Sequence, residues 1–362
     1  MLASDLHLRS APDARAGQTA LPTPDALRAT LPRTADVARS VERARVAVRD
    51  ILAGRDPRLI VIVGPCSLHD PTEALVYARR LARLAREHRD TLVIAMRCYV
   101  EKPRTTLGWK GLVHDPDLDG SGDIARGLSL SRSLLLSISR LGLPCASELL
   151  DPIVARYLED LIAWGSIGAR TAQSQPHREL ASGYPAPIGV KNTTDGNVQP
   201  AIDAVESARA PHSALSIDLL GRPVRQRTPG NPTAHIVLRG GSRGPNCDRE
   251  TIERSARAVA RTERERPILV DCSHGNSGKD HRLQGAVVRR LLADRSPKLA
   301  GVMIESNLRA GRQPWRPGDC PRPGLSITDA CLGWAATRRL VGEVAETLRG
   351  AEVAPRKSEI LL

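Results

Sequence analysis

Eight short apolar runs, rich in β-branched residues, constrain the fold of this chain more than any other feature. Segments able to form helices separate these runs. Strands that alternate with helices indicate a parallel sheet, and the count of eight favours a closed (β/α)8 TIM barrel over a doubly wound open sheet. The predicted strands are 59–63, 92–96, 144–148, 166–169, 187–190, 235–238, 268–271 and 302–305. The predicted helices are 73–88, 125–141, 154–164, 201–208, 251–262, 282–292 and 329–348.

Two parts of the chain do not fit this repeat. Residues 1–57 form an N-terminal extension, an arm with a helix near 36–52 that Gly54 ends. Residues 213–231 are too long for a plain loop and predict an inserted β-hairpin. We therefore expect a catalytic barrel at 58–350, a tail at 351–362, and a role in regulation or oligomerisation for residues 1–57.

The positive charge of the chain raises the question of whether the protein binds nucleic acid. The net charge is +13, but the 53 basic residues are spread along the whole chain. Aromatic residues make up only 2% of the sequence, so platforms for base stacking are scarce. The densest basic segment, 78–89, is interpreted as a solvated helix face. The charge therefore favours anionic small molecules over nucleic acid.

The seven cysteines form no CxxC pair, which argues against a disulfide framework and a cysteine-only zinc site. No segment approaches the roughly 20 apolar residues that span a bilayer. Residues 1–17 also lack the apolar core of a signal peptide. We therefore expect a cytoplasmic protein with free thiols and no membrane partner.

A barrel predicts that function gathers where the strands end, in the loops at the carboxyl-terminal face. Every predicted strand end carries a polar or reactive side chain. In chain order these are Cys66, Arg97 with Lys102, Glu148, Arg170, Lys191, Arg239, His274 and Glu305.

One subset suits a metal ion. Cys66, His274, Glu305 and Asp329 combine a thiol, an imidazole and two carboxylates, which favours a borderline divalent transition metal over calcium or magnesium. Each residue has a structural alternative when taken singly. Cys66 could be a small buried thiol, His274 a polar residue with satisfied hydrogen bonds, and Asp329 a carboxylate at a helix N-terminus.

A second subset is cationic. In a chain with only six lysines against 47 arginines, three lysines fall in this set, which suggests that an ammonium group is needed there. So many cations at one mouth imply polyanionic ligands, with two phosphorylated or carboxylated molecules expected. The set is Arg97, Lys102, Arg104, Lys110, Arg170, Lys191 and Arg239.

Eleven short motifs between residues 36 and 348 together resemble the class I 3-deoxy-7-phosphoheptulonate (DAHP) synthases. The resemblance covers the barrel and matches the N-terminal arm only loosely. The motifs are Gly64-Pro-Cys-Ser67, Glu101-Lys-Pro-Arg-Thr105, Gly108-Trp-Lys-Gly111, Gly168-Ala-Arg-Thr171, Ser174-Gln175, His177-Arg-Glu179, Lys191-Asn192, Thr194-Asp-Gly196, Leu238-Arg-Gly-Gly241, Asp271-Cys-Ser-His-Gly-Asn276 and Ser326-Ile-Thr-Asp-Ala330.

The resemblance implies a transferase that condenses phosphoenolpyruvate with D-erythrose 4-phosphate, the first step of the shikimate pathway. It implies that Cys66, His274, Glu305 and Asp329 bind Mn, Fe, Co or Zn. Lys102 would lie near both substrates, Arg104 and Thr105 would bind the sugar phosphate, and Glu148 or Lys102 with His274 would manage protons. A homo-oligomer is also expected. The residues predicted to bind the substrates are Arg97, Lys102, Arg104, Thr105, Lys110, Arg170, Lys191 and Arg239.

The sequence also departs from the family pattern. Ala172 and Gln173 replace the usual Thr and Glu beside Arg170, and Ser242 follows Gly-Gly in place of Lys. We expect activity to survive, because no predicted ligand is lost, whereas inherited feedback control is in doubt. Two alternatives stay open: a sibling synthase acting on a different phosphosugar, and a catalytically silent barrel that serves as a regulatory binding protein.

Overall fold

The computed structural model describes residues 18–353. The helices are α1 (Pro24–Thr30), α2 (Ala35–Leu52), α3 (Pro71–Glu87), α4 (Ile124–Arg140), α5 (Pro152–Leu158), α6 (Gln175–Gly183), α7 (Gln199–Arg209), α8 (Arg249–Val259), α9 (Gln284–Ala293) and α10 (Trp334–Val353). The strands are β1 (Leu59–Gly64), β2 (Leu92–Arg97), β3 (Cys145–Glu148), β4 (Ile162–Ile167), β5 (Ile188–Lys191), β6 (His212–Ile217), β7 (Pro223–Thr228), β8 (His235–Leu238), β9 (Ile268–Asp271), β10 (Leu299–Asn307) and β11 (Leu332–Gly333).

Eight parallel strands close into a barrel, as the sequence predicts. Their order is β1-β2-β3-β4-β5-β8-β9-β10, and β10 pairs back with β1 from Ile60↔Gly301 to Gly64↔Glu305. A helix follows each of these strands in the chain, so the fold is a (β/α)8 TIM barrel. The carboxyl ends of the strands therefore surround one shared mouth.

Apolar side chains form two cores. One lies inside the barrel and includes Ile60, Ile62, Trp164 and Met303, and the other lies between the strands and the surrounding helices. Helix α2 contributes its last turns to the inner core through Val48, Ile51 and Leu52, so it closes the end of the barrel opposite the mouth.

The inserted segment forms an antiparallel hairpin of β6 and β7, paired from His212↔Thr228 to Ile217↔Pro223. The segment around α1 packs onto it: the Asp25 backbone N–H donates to the Leu219 carbonyl at 2.8 Å. Helix α5 joins both, because Tyr157 Oη donates to the Pro22 carbonyl and Arg156 Nε donates to the Ile217 carbonyl. Residues 1–17 of the predicted arm and 354–362 of the predicted tail lie outside the described residues.

Some predicted boundaries are wrong. The predicted helix 154–164 ends early, because residues 162–164 belong to β4. A short apolar run suits a strand and a buried helix equally well, which explains the error. Helix α6 was not predicted, and α10 begins at Trp334 rather than at 329. Within 18–353, no helix combines the length and apolar character needed to cross a membrane.

Candidate active site

The residues predicted at the strand ends do meet at the mouth of the barrel. Arg97, Glu148 and Lys191 are the last residues of β2, β3 and β5, and Arg239 directly follows β8. They line a cavity of about 250 Å³. The other predicted site residues along its wall are Lys102, Arg104, Thr105, Arg170, His274 and Asp329.

Three of the four predicted metal ligands form a compact group. One ligand atom each from Cys66, Glu305 and Asp329 lies within 4.8 Å of the other two. Cys66 and Glu305 are buried, whereas Asp329 reaches solvent. Burial and the Glu305 carboxylate raise the pKa of the Cys66 thiol to about 11. Because α10 begins after Asp329, the alternative that this residue caps a helix is wrong.

His274 lies beside this group rather than within it. Its Nε2 is 4.0 Å from Glu305 Oε1, and its Nδ1 is 3.0 Å from Asp271 Oδ2. Burial alone would raise the pKa of the Asp271 carboxyl, but His274 and Lys191 hold that pKa well below its usual range. The hydrogen bond at Nδ1 is made with Ser273 Oγ at 2.7 Å, and Ser273 Oγ donates in turn to Asp271 Oδ1 at 2.5 Å. A hydrogen-bond partner on Nδ1 that is itself held by a carboxylate orients an imidazole for ligation through Nε2.

The donor set fits a thiophilic divalent cation. A thiol, two carboxylates and an adjacent imidazole provide the mixed sulfur, nitrogen and oxygen ligands that such ions prefer. Lys102 Nζ is 3.2 Å from Cys66 Sγ and 3.0 Å from the Cys66 carbonyl, so positive charge already faces the thiol.

The buried cations of the mouth are paired with buried acids. Arg97 Nη2 lies 3.0 Å from Glu305 Oε1, and Lys191 Nζ lies 2.9 Å from Glu148 Oε2. Burial opposes charge on both partners of the second pair, yet their attraction lowers the pKa of Glu148 and raises that of Lys191. Both groups are therefore charged at neutral pH.

The loop after β2 contacts another of the residues predicted to bind the substrates. Arg170 Nη2 donates to Thr105 Oγ1 at 3.0 Å, and Arg104 Nε donates to the Trp109 carbonyl at 2.7 Å. Thr105, predicted to bind the sugar phosphate, and Arg170, also predicted to bind the substrates, are thus in direct contact.

Lys110 is not brought into the mouth. The Lys102 backbone N–H donates to the Lys110 carbonyl at 2.8 Å, so the loop folds back on itself. Gly111 permits this return, because it has a φ of +113° and a Cβ there would lie 2.4 Å from the Val100 carbonyl oxygen. Lys110 instead lines a neighbouring cavity.

The sequence matches the family model described as the DAHP synthetase I family over residues 34–341. The chain belongs to this family. It is 45% identical to the Tyr-sensitive phospho-2-dehydro-3-deoxyheptonate aldolase of Escherichia coli (strain K12), over 91% of this chain and 94% of that protein. It is 47% identical to the Trp-sensitive enzyme of Enterobacter agglomerans, over 90% of this chain and 94% of that protein.

A solved structure agrees with these relatives. The phospho-2-dehydro-3-deoxyheptonate aldolase of Francisella tularensis SCHU S4 is 42% identical, with a TM-score of 0.89 over 93% of this chain and 99% of that one. These findings confirm the predicted DAHP synthase family, the barrel fold and the enzyme class.

Sequence reasoning missed two residues in the mouth of this DAHP synthetase family member. The ring of buried Tyr99 has three cations around it, with Arg97 Cζ at 4.0 Å, Lys191 Nζ at 5.2 Å and Lys102 Nζ at 5.6 Å from its centroid. Lys279 lines the mouth and also the cavity beyond His274. The signal for Lys279 was available, since it is one more of the six lysines and follows His274 by five positions.

Proposed function

We propose that this protein joins phosphoenolpyruvate to D-erythrose 4-phosphate, releases inorganic phosphate and so begins aromatic amino acid biosynthesis. One observation carries the proposal: a thiol and two carboxylates lie within 4.8 Å of one another, and Asp329 of this group lines a cavity together with six of the seven cations predicted from the sequence. A mouth of this kind suits two anionic substrates that must react side by side.

Cys66, His274, Glu305 and Asp329 would hold the metal, for which Mn, Fe, Co and Zn are the candidates. A bound divalent ion supplies Lewis acidity that polarises the aldehyde oxygen of the sugar. The fit rests on the grouped donor atoms and on the His274 imidazole, which Ser273, held by Asp271, orients from its other nitrogen.

Arginine and lysine side chains would orient the two substrates. Arg170, Lys191 and Arg239 are proposed to bind the phosphate and carboxylate of phosphoenolpyruvate, with Arg97 at the base of the site. Arg104 and Thr105 would bind the sugar phosphate. The contact between Arg170 and Thr105 supports this division, because it puts the two anion subsites next to each other.

The reaction forms a bond between C3 of phosphoenolpyruvate and C1 of the sugar, adds water oxygen at C2 and breaks the C2–O bond to phosphate. Glu148 is deprotonated beside Lys191 and can accept a proton from the water. Burial opposes charge on Lys102, but attraction to Cys66 and Glu305 raises its pKa above the usual value. Lys102 is therefore protonated and would give a proton to the sugar oxygen. His274 is the alternative proton carrier.

Phosphate release by the purified full-length chain tests the proposal. After chelation, the protein is reloaded with each candidate metal and given phosphoenolpyruvate with erythrose 4-phosphate, with arabinose 5-phosphate or without sugar. We expect sugar-dependent release with erythrose 4-phosphate and a metal. Release with only arabinose 5-phosphate would favour the sibling synthase, and no release with any metal would favour the silent barrel; either result overturns the proposal.

Assembly and location are part of the same proposal. We propose a cytoplasmic homo-oligomer in which residues 1–57 contribute to assembly or regulation. The packing of α1 against the hairpin and α5 supports a joint role for these segments. Light scattering on the full chain and on a variant lacking residues 1–33 tests the role in assembly, since an unchanged mass would contradict it.

A further inference from the structure

A second cavity lies next to the mouth, between the loop after β2 and the loop after β10. Its volume is about 720 Å³, which is within the range of small-molecule sites. Arg104 and Leu107 line both cavities, so the two are neighbours at the carboxyl-terminal face of the barrel. The Gly318 backbone N–H donates to the Leu118 carbonyl and joins the two loops.

The wall of this cavity is aromatic and apolar. Trp109 and Trp315 both line it, together with Ile124 and Ile327, in a chain that has only four tryptophans and no phenylalanine. The Trp109 indole N–H donates to the Asp115 carbonyl at 2.7 Å. The Trp315 indole nitrogen is buried and has no hydrogen-bond partner among residues 18–353. The protein itself therefore leaves one donor unsatisfied in a side chain that lines the cavity, and a buried donor without an acceptor is costly.

The charge along the cavity is positive. Lys110 and Arg316 line it, and within the described part of the chain neither side chain makes a hydrogen bond or an ion pair. The one carboxylate in the lining, Asp115, already accepts from the Gly120 backbone N–H at 3.1 Å. Asp115 is also only 9% exposed. The lining therefore sets two unpartnered cations against one largely buried carboxylate, which favours an anion over an ammonium group.

We propose that this cavity binds a planar aromatic carboxylate that carries no ammonium group. The ring lies against Trp109 and Trp315, and the carboxylate accepts hydrogen bonds from Arg316 or Lys110 and from the Trp315 indole. This site is separate from the metal group. It shares two residues with the set predicted to bind the substrates, Arg104 at the common edge and Lys110, which does not line the mouth.

Calorimetry with three naphthalene probes tests the proposal. The probes are 2-naphthoate, the neutral 2-naphthamide and the cationic 2-naphthylmethylamine, which share a ring and differ in charge. Saturating phosphoenolpyruvate is present throughout to occupy the mouth. We expect one 2-naphthoate per chain, weaker binding of the amide and no binding of the amine.

Two variants locate the site. Trp315→Phe keeps a ring and removes the indole N–H, whereas Arg316→Met removes the positive charge. Each variant is expected to bind 2-naphthoate about tenfold more weakly, because it loses one charge-assisted hydrogen bond. Arg80→Met, on the outer face of α3, is the matched control and should bind as the wild type does.

The results that would overturn this inference are distinct from a failure of the proposed function. Equal affinity for the three probes, or affinity unchanged in both cavity variants, would overturn it. Displacement of 2-naphthoate by phosphoenolpyruvate would also do so, because it would put the probe in the mouth. Calorimetry needs no turnover, so a protein inactive in the phosphate-release assay still gives a decisive result.

Discussion

At the scale of single residues, the cations of the mouth fall into two groups. Arg97 and Lys191 are buried and already face Glu305 and Glu148, so their charges are largely neutralised. Arg170 is exposed, and its guanidinium donates to a neutral hydroxyl. A phosphate that binds to Arg170 does not have to replace a carboxylate, so this side chain contributes its full charge to substrate binding.

Arg170→Ala therefore should raise the KM for phosphoenolpyruvate more than it lowers kcat. Loss of one charge-assisted contact is worth about 1.5–3 kcal/mol, which corresponds to a factor of roughly ten or more in apparent affinity. Initial rates over a phosphoenolpyruvate series measure the change, with Arg80→Ala on α3 as the control. Unchanged kinetics would remove Arg170 from the substrate site.

Cys66→Ala should abolish metal-dependent turnover with little effect on folding. The substitution removes the single sulfur from the group with Glu305 and Asp329, whereas a small thiol contributes modestly to packing. Metal content, phosphate release and the thermal unfolding midpoint are measured together. Cys98→Ala, at another fully buried cysteine, is the matched control and should keep its metal. Full activity of the Cys66 variant in chelator would contradict the metal assignment.

The sequence was sufficient to predict those site residues that lie at the ends of barrel strands. Cys66 and Glu305 could be predicted because parallel strands of a barrel end at one face. Tyr99 could not, because an aromatic residue just after a buried strand has the same pattern as a core residue. The scarcity of lysine marks Lys279 as a candidate, but its place in the mouth could not be predicted, because it depends on a turn in which His274 and Lys279 both have positive φ, at 53° and 63°. Such left-handed residues are rare outside glycine and follow no periodic pattern.

At the scale of elements, closure of the barrel depends on how closely β10 approaches β1. Gly301 pairs with Ile60, and the register between β9 and β10 shifts beside it. A Cβ at Gly301 would lie 2.4 Å from the Ile60 carbonyl oxygen and 2.7 Å from Ile60 Cβ. The apolar pattern predicts both strands, but the irregular register comes from contacts between distant parts of the chain and is not visible in that pattern.

Gly301→Ala should accordingly destabilise the protein. Overpacking of this kind costs about 1–3 kcal/mol in the free energy of unfolding. Gly342→Ala is the opposite case, since that glycine lies within α10 and a Cβ there would meet nothing within 4 Å. It should stabilise the protein by about 0.5–1 kcal/mol. Urea unfolding followed by circular dichroism measures both, and equal signs for the two variants would contradict this account of closure.

At the scale of the whole molecule, stability depends on buried polar groups at the end of the barrel that α2 closes. His235 begins β8 and is 1% exposed. Its Nε2 accepts a hydrogen bond from Trp164 Nε1 at 3.1 Å, and its Nδ1 lies 2.8 Å from the Thr233 carbonyl oxygen. Both ring nitrogens are satisfied in the neutral form with a proton on Nδ1. The apolar run at 235–238 predicted the strand, but not this partner on β4, because their contact requires the closed barrel.

As the pH falls, titration of His235 should therefore destabilise the fold before the carboxylates of the protein are protonated. Burial lowers the pKa of His235 from 6.5 to about 4, and Arg209 acts in the same direction. Between these pH values the unfolded chain binds one more proton at this residue than the folded chain does. The free energy of unfolding is unaffected by His235 above pH 6.5 and falls by about 3 kcal/mol as the pH falls to 4.

A His235→Gln variant isolates this contribution from the other groups that titrate. The variant should be less stable than the wild type at pH 7, because it loses the ring that packs against Trp164. It has no proton to gain at this position, so its stability should fall less steeply between pH 6.5 and 4.5. Urea unfolding of both proteins in chelator, at half-unit steps of pH, measures the two slopes. The cause of the lowered pKa is burial without a carboxylate partner. If stability fell equally steeply with pH in the two proteins, His235 would be protonated without cost, which would mean that the inner core admits water at this end.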